Sequence, residues 1–316
     1  MLCLGTWTIQ AQTTLGETNC LDFDGTDDFV SIPDNGTLDF ASGSTFTLET
    51  WVNWKGQNNN GDGSCVFFDK TETHPNANYR FFVVEPGGAN ANKLGFWNGS
   101  GNAFSTGTVP LNTWTHAALV YDNTTYTFYI NGTASGTGTH SAGAVNNGAV
   151  FLGKDNSPGR EMYGALDEMR IWNVARSSTQ IMASYRGELC GAETGLVLYN
   201  DFNQGTAGGN NSGITTVDDK TSNNNDGTLT NFAKTGSSSN FLSSDAIQQN
   251  SLDFDGTNDE ITLGEMNALD NVGTFTIETW IKETAKVGTN AYFWSTGNTS
   301  NDNIYFVRQT PNNRWF

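Results

Sequence analysis

Basic residues are scarce in this chain. Its 316 residues include 15 Lys and Arg against 33 Asp and Glu, which gives a formal net charge of −18. The cations are scattered, whereas nucleic-acid binding needs cations clustered against phosphate, so we expect no nucleic-acid partner. The acidity is spread through loops rich in Asn, Asp, Gly and Thr. Such loops suit an exported protein and also supply oxygen ligands for hard cations.

Long apolar runs are missing as well, and no segment approaches the 18 or more apolar residues of a membrane span. The first residues, "MLCLGTWTIQAQ", combine a short apolar run with a small residue, Ala11, at a suitable cleavage position, although no Lys or Arg precedes Lys55. Residues 1–18 are therefore predicted to be the remnant of a signal peptide and a leader. The protein would then be secreted, extracellular or at the cell surface. An ordinary frayed terminus is the alternative.

Catalytic motifs are equally scarce. The three histidines His74, His116 and His140 are far apart, and the sequence contains no H-x-x-x-H, no G-x-S-x-G and no phosphate-binding glycine loop. Glycoside hydrolysis needs two carboxylates around the bond. Glu49 and Glu168 could converge on one face, but no spacing signal supports them. We therefore expect a protein that is not an enzyme, and we assign no catalytic residue.

The sequence does contain a long repeat. "LDFDGT" occurs at 21–26 and again at 252–257, and "TFTLETWV" (45–52) returns as "TFTIETWI" (274–281). This period is far longer than that of a solenoid unit, so the pattern predicts tandem domains. The predicted domains are a complete copy at 19–190, a linker with lead-in strands at 191–250, and a truncated second copy at 251–316. We accordingly expect the chain to be a fragment of a longer protein.

The local patterns predict an all-β fold. Most segments are short, β-branched or aromatic and bounded by Gly, Asn or Asp, and the chain has only six prolines. The exception is "SSTQIMASYRGEL" (177–189), which predicts a helix with an N-cap serine. The expected architecture is an antiparallel β-sandwich of the jelly-roll type.

Two strands give finer predictions. In "TFTLETWVNW", Phe46, Leu48, Val52 and Trp54 should face the core, while Glu49 and Trp51 should lie on the outer face, an arrangement that Glu278 and Trp280 repeat. In "YGALDEMRIWN", Leu166 differs in parity from Met169 and Ile171. This mismatch predicts a β-bulge at Asp167 and Glu168.

These motifs together resemble the laminin-G-like, concanavalin A-like jelly rolls of lectins and glucanases, which are common as tandem modules in secreted bacterial proteins. The resemblance rests on "LDFDGTDDFVSIP", "FTLETWVNW", "TWTHAALVYD" with "YTFYINGT", and "YGALDEMRIWNVARSSTQI". "LVLYNDFNQG" and "DKTSNNNDGTLTNF" further resemble strands that precede such modules, so a second domain would begin near Gly195. The E-x-D-x-E strand of the glucan-cleaving relatives does not occur here.

The resemblance implies binding of glycans or extracellular proteins, adhesion, and often a calcium site at the rim. For ligand binding we predict Glu49, Trp51 and Trp97, because tryptophan faces pack against sugar rings; ordinary packing is the alternative for each. For Ca²⁺ we predict Asp24, Asp28 and Asp167, with simple turn formation as the alternative. The resemblance also places Cys20 and Cys190 close enough for a disulfide.

Three functional hypotheses remain open at this point. The first is a secreted, non-catalytic binding or adhesion module assisted by calcium. The second is a set of ancillary domains of a larger carbohydrate-active enzyme or protease whose catalytic domain lies outside these residues. The third is a structural spacer or adhesin stalk.

Overall fold

The computed structural model describes residues 18–56, 63–156 and 159–246, and the backbone of three strands nearer the C-terminus. The chain divides into two compact units, Met1–Gln248 and Gln249–Phe316. No helix in the described part of the chain is long and apolar enough to cross a membrane.

The described part of the first unit contains sixteen strands, a short 3-10 helix at Gly36–Leu38 and one α-helix, α1 (Ser178–Ser184). The strands are β1 (Asn19–Asp24), β2 (Phe29–Ile32), β3 (Thr45–Trp54), β4 (Ser64–Thr73), β5 (Asn76–Val84), β6 (Lys93–Trp97), β7 (Asn102–Thr108), β8 (Thr115–Asp122), β9 (Thr125–Ile130), β10 (Thr133–Thr139), β11 (Val150–Leu152), β12 (Tyr163–Trp172), β13 (Leu196–Asn200), β14 (Thr216–Val217), β15 (Gly227–Thr230) and β16 (Phe241–Ser243).

These strands form two antiparallel sheets that pack into a sandwich. Sheet A has the order β10-β9-β8-β3-β12-β1-β16, and β13 pairs with the second half of β12. Sheet B has the order β14-β15-β2-β11-β4-β5-β6-β7. The prediction of an all-β antiparallel sandwich is confirmed.

Alternating side chains build the core between the sheets. In β3, the predicted inward residues Phe46, Leu48, Val52 and Trp54 all belong to the main hydrophobic cluster. Sheet B contributes the side chains that face them, among them Phe67, Phe81 and Phe96. The period of two in the sequence therefore predicted the core face of β3 correctly.

The predicted β-bulge is also present. The register of β12 against β3 shifts between Asp167 and Arg170, and Glu168 has a positive φ of 52°. Because of this extra residue, Leu166 and Ile171 both point into the core although their parities differ.

Helix α1 is shorter than the predicted 177–189. Ser177 caps its N-terminus, and Ser177 and Gln180 form a capping box in which each side chain accepts a hydrogen bond from the other residue's backbone N–H. Ile181 and Tyr185 are buried, whereas Met182 is half exposed. The helix thus turns one narrow apolar face toward sheet A.

The predicted boundary at residue 190 is wrong. Strand β13 pairs with β12, β15 pairs with β2, and β16 pairs with β1, so the predicted linker and lead-in segment 191–250 contributes strands to both sheets of the first unit up to residue 243. The physical reason is that β1 and β2 would otherwise expose unpaired edges. The first unit extends to Gln248.

The described strands of the second unit are β17 (Asn290–Ser295), β18 (Tyr305–Gln309) and β19 (Arg314–Trp315), which form an antiparallel sheet in chain order. The repeated segments 252–257 and 274–281 lie outside the described residues. The truncated second copy therefore stays a prediction.

Candidate ligand-binding site

Glu49 and Trp51 do point to the outer face of sheet A, but that face is covered. Glu49 is fully buried and forms an ion pair with Arg176 at 2.6 Å, and its other carboxylate oxygen lies 3.3 Å from Nε2 of His116. Burial alone would raise the pKa of Glu49, but the neighbouring His116 imidazole and the charge of Arg176 outweigh burial and hold that pKa at about 2.

Trp51 lies beside Glu49 and is 7% exposed. Its indole Nε1 donates a hydrogen bond to the backbone oxygen of Tyr185 at 2.7 Å, and the two rings stack with centroids 5.9 Å apart. The expectation that Glu49 and Trp51 form a ligand surface is corrected by this geometry. Both residues instead anchor the segment that follows β12 onto the outer face of sheet A.

The outer face of sheet B has a different character. Four residues on adjacent strands lie directly opposite one another: Phe151 in β11 pairs with Asp69 in β4, Asp69 with Arg80 in β5, and Arg80 with Trp97 in β6. Residues in such register share one face of a sheet. We call these four residues the sheet B row.

The centre of the sheet B row is an ion-pair network. Arg80 contacts Asp69 at 2.7 Å and Asp155 at 2.8 Å, and Arg160 contacts the same Asp155 at 2.6 Å. Burial raises the pKa of Asp69 to about 6, although Arg80 and Thr71 oppose that rise. The network attaches the chain between β11 and β12 to the middle of the outer face.

Trp97 forms one end of the row and is 9% exposed. The Arg80 guanidinium lies over its ring at 4.6 Å, and the exposed imidazole of His74 stacks on it with centroids 5.2 Å apart and planes 9° apart. Phe82 and the half-buried Phe104 pack in the same outer cluster. Trp97 thus supports a rigid aromatic platform whose solvent-facing ring is His74.

The sequence analysis did not predict His74 as part of the ligand surface. Alternation in "KLGFW" already indicates that Trp97 faces outward, because Leu94 and Phe96 belong to the core. No local pattern places His74 on that ring, since the contact joins the hairpin between β4 and β5 to the end of β6. Only the pairing of three strands brings the two rings together.

A second cluster lies in the turn between β1 and β2. Carboxylate oxygens of Asp24, Asp27 and Asp28 lie within 4.8 Å of one another. Asp28 accepts hydrogen bonds from the backbone N–H of Asp24 at 2.9 Å and from the hydroxyl of Ser239 at 2.9 Å. Burial raises the pKa of Asp28 to about 6. These three carboxylates could hold a hard cation.

Asp167 does not join this cluster. The register of β1 against β12 places Asp24 opposite Tyr163 and Leu21 opposite Leu166, so Asp167 lies beyond the far end of that pairing. Its side chain is buried and accepts a hydrogen bond from the hydroxyl of Ser244 at 2.5 Å. The predicted ligand set is therefore corrected to Asp24, Asp27 and Asp28.

With this geometry in hand, comparison with known proteins identifies the fold family. Residues 24–182 match the laminin-G-type family model described as the concanavalin A-like lectin/glucanases superfamily. The chain belongs to this laminin-G-like family. A search of curated proteins found no match.

Several solved structures are similar to this chain at low identity. A candidate carbohydrate binding protein from Bacteroides ovatus is 22% identical with a TM-score of 0.52, over 68% of this chain and 58% of that one. Domain 4 of the arabinanase AbnA from Geobacillus stearothermophilus, solved with arabinotriose, is 23% identical with a TM-score of 0.41, over 52% of this chain and 75% of that one. A pentraxin from Limulus polyphemus is 16% identical with a TM-score of 0.42, over 54% of this chain and 84% of that one.

The two glutamates that the sequence offered as a hydrolytic pair are both buried in ion pairs. Glu168 is buried, forms an ion pair with Arg170, and accepts hydrogen bonds from the Tyr199 hydroxyl at 2.8 and 2.9 Å. Glu49 is held separately by Arg176. Both carboxylates are thus engaged in the contacts that cover sheet A.

The predicted disulfide between Cys20 and Cys190 is wrong. Cys20 carries a free, buried thiol, and so does Cys65. Cys20 lies in β1, where its thiol faces backbone oxygens of Leu242 and Ser243 in β16. The Cys20 thiol therefore packs against β16 and is not bonded to Cys190.

Proposed function

We propose that this laminin-G-like domain is a non-catalytic module that binds glycans on the outer face of sheet B. The observation that carries the proposal is the aromatic platform of His74 on Trp97, with Phe104 beside it and the Arg80 network adjoining. Sugar rings pack their C–H faces on such rings, while fixed charged groups orient hydroxyls. On sheet A, by contrast, the outward Trp51 is covered by the segment after β12.

The comparisons with known proteins also support glycan binding. The fold is that of lectins, and the Bacteroides ovatus structure is described as a candidate carbohydrate binding protein. The acidic composition and the N-terminal sequence favour export, so the module would meet its glycan outside the cell.

His74→Ala tests the platform. Because His74 is exposed, the substitution should change the free energy of unfolding by less than about 0.5 kcal/mol. Loss of the stacking ring should weaken binding of the best glycan from an array by about tenfold, the upper range for an aromatic contact. The measurement is isothermal titration of the full chain, with thermal unfolding alongside.

Trp114→Ala is the matched control, since Trp114 is half buried beside Trp51 over sheet A. It should leave glycan affinity unchanged. If Trp114→Ala weakens binding and His74→Ala does not, the site lies on the other sheet. If the array gives no bound glycan of any class, the proposal of glycan binding fails and a protein ligand takes its place.

We also propose that Ca²⁺ binds Asp24, Asp27 and Asp28. A bound ion should stabilise the unit by about 3 kcal/mol at a hundredfold excess over its dissociation constant. The ion needs ionised carboxylates, and Asp28 has a pKa of about 6. The rise in melting temperature between EDTA and millimolar Ca²⁺ should therefore be full at pH 7.5 and much smaller at pH 5.

Asp27→Asn should remove most of that rise, because Asp27 is exposed and leaves the hydrogen bonds of Asp28 intact. Asp122→Asn, at another exposed acid, should retain it. Equal melting temperatures in EDTA and Ca²⁺ at pH 7.5 would show that the three carboxylates only shape the turn.

A further inference from the structure

Two phenylalanines and a lysine form a second feature on the outer face of sheet B. Phe29 in β2 and Phe151 in β11 pack edge to face with centroids 5.7 Å apart, and both side chains are half buried. The Nζ of Lys154 lies 3.8 Å from the centroid of Phe29 and 4.9 Å from that of Phe151. The two rings hold the ammonium at a defined place on the face.

Lys154 differs from the neighbouring cations in its partners. Arg80 and Arg160 are neutralised by Asp69 and Asp155. Among the residues that the structure describes, no carboxylate lies within 4.0 Å of the Lys154 ammonium, whose recorded contacts are the two rings. In a chain with a formal net charge of −18, a cation held by two rings is a suitable contact for an anionic ligand.

The Lys154 ammonium and the aromatic platform lie at opposite ends of the sheet B row. Phe151 and Trp97 are the two ends of the sheet B row, three strand spacings apart. Adjacent strands are separated by about 4.8 Å, so the two ends are roughly 14 Å apart. The middle of the row, Asp69 and Arg80, is buried beneath Asp155, so the Lys154 site and the aromatic platform are two separate sites on the same face.

We propose, on the basis of the glycan-binding function above, that the preferred ligand is an oligosaccharide containing a uronic acid, whose carboxylate pairs with Lys154. Its sugar ring packs against the half-buried rings of Phe29 and Phe151. The pair is a charge-assisted hydrogen bond from Nζ to the carboxylate. Long-range repulsion by the acidic protein is screened beyond about 8 Å at physiological salt, so the local cation decides recognition.

The test uses the full chain and defined oligomers of galacturonate, glucuronate and mannuronate, each with its methyl ester, in which the carboxylate charge is removed. Wild type should bind at least one acid about tenfold more tightly than its ester, and that preference should shrink as salt is raised. Lys154→Met should abolish the preference and leave affinity for the ester unchanged. Lys154→Arg should retain part of it.

Lys93→Met is the matched control, because Lys93 is a second lysine of sheet B whose Nζ already contacts the side-chain oxygen of Asn90 at 3.3 Å. It should keep the preference for the acid. Esters that bind as tightly as acids, or an equal loss of both in Lys154→Met, would overturn the uronate proposal. The proposed function would still stand in that case, provided that His74→Ala weakens binding of the ester or of a neutral glycan. No binding of any oligomer, acidic or neutral, would overturn both.

Discussion

A chain that ends at residue 190 is expected not to fold cooperatively, whereas a chain of residues 1–248 is expected to fold as one unit. Strands β13, β15 and β16 pair with β12, β2 and β1, so the shorter chain would expose edges of both sheets. The segment from 191 to 246 also supplies seven large apolar side chains to the core: Val197, Leu198, Phe202, Val217, Leu229, Phe232 and Phe241. The truncated chain still contains α1 and twelve of the sixteen strands.

The energies involved explain the size of this effect. Burial of an apolar side chain of this size contributes about 1.5–3 kcal/mol, so the seven together contribute roughly 10–20 kcal/mol. A whole domain is stable by only about 5–15 kcal/mol. Urea unfolding followed by tryptophan fluorescence should give one sharp transition for 1–248 and none for 1–190. A cooperative transition of equal midpoint in the shorter chain would show that residues 191–248 are dispensable.

The boundary of the unit is an instructive error of the sequence analysis. "LVLYNDF" and "DGTLTNF" were correctly interpreted as strands, but a strand pattern does not name its partner, and the resemblance assigned them to the following copy. The period of the repeat was a better guide to the domain boundary. "LDFDGT" recurs after 231 positions, from Leu21 to Leu252, and the first unit extends to Gln248, so the period leaves no room for a linker.

Outward direction and exposure proved to be different properties. Alternation placed Glu49 and Trp51 on the outer face of sheet A, and they do lie there. Their cover, Arg176 and Tyr185, comes from more than 120 residues further along the chain. The apolar face of α1 was the available signal, because a helix with buried residues such as Ile181 must pack against some sheet.

The arrangement of the candidate site depends on the register between strands. The bulge at Glu168 follows from parity within one strand and could be predicted. The sheet B row depends on the register of four strands, one of which, β11, is distant in sequence from the other three. Register is fixed by the whole sheet, and a shift of one residue would turn Trp97 into the core. A single sequence therefore predicts the candidates of such a site better than their arrangement.

The second large effect is expected at Arg170, which lies fully buried beneath the segment that covers sheet A. Its guanidinium forms an ion pair with Glu168 and donates hydrogen bonds to the backbone oxygens of Ser184 at 3.1 Å and Gly187 at 2.6 Å. Arg170 thus ties β12 to the C-terminal end of α1. Burial raises the pKa of Glu168 to about 7 even though Arg170 opposes that rise.

Arg170→Met should lower the free energy of unfolding by about 3–5 kcal/mol at pH 7.5, because it leaves the Glu168 carboxylate buried without its cation. A raised pKa means that the folded state binds the proton more tightly than the unfolded state, so this carboxyl favours folding most below pH 4.5 and progressively less as pH rises through 7. Removing Arg170 makes the free energy of unfolding fall more steeply with pH. The loss of stability caused by Arg170→Met should therefore be clearly smaller at pH 5 than at pH 7.5. Adding Glu168→Gln to Arg170→Met should recover part of the stability at pH 7.5.

Arg186→Met, at an exposed arginine on the ring of Tyr185, is the matched control and should cost less than about 1 kcal/mol. Denaturant unfolding at both pH values measures all four proteins, and an equal loss for Arg170→Met at pH 5 and pH 7.5 would show that the arginine acts through packing and its backbone hydrogen bonds rather than through Glu168.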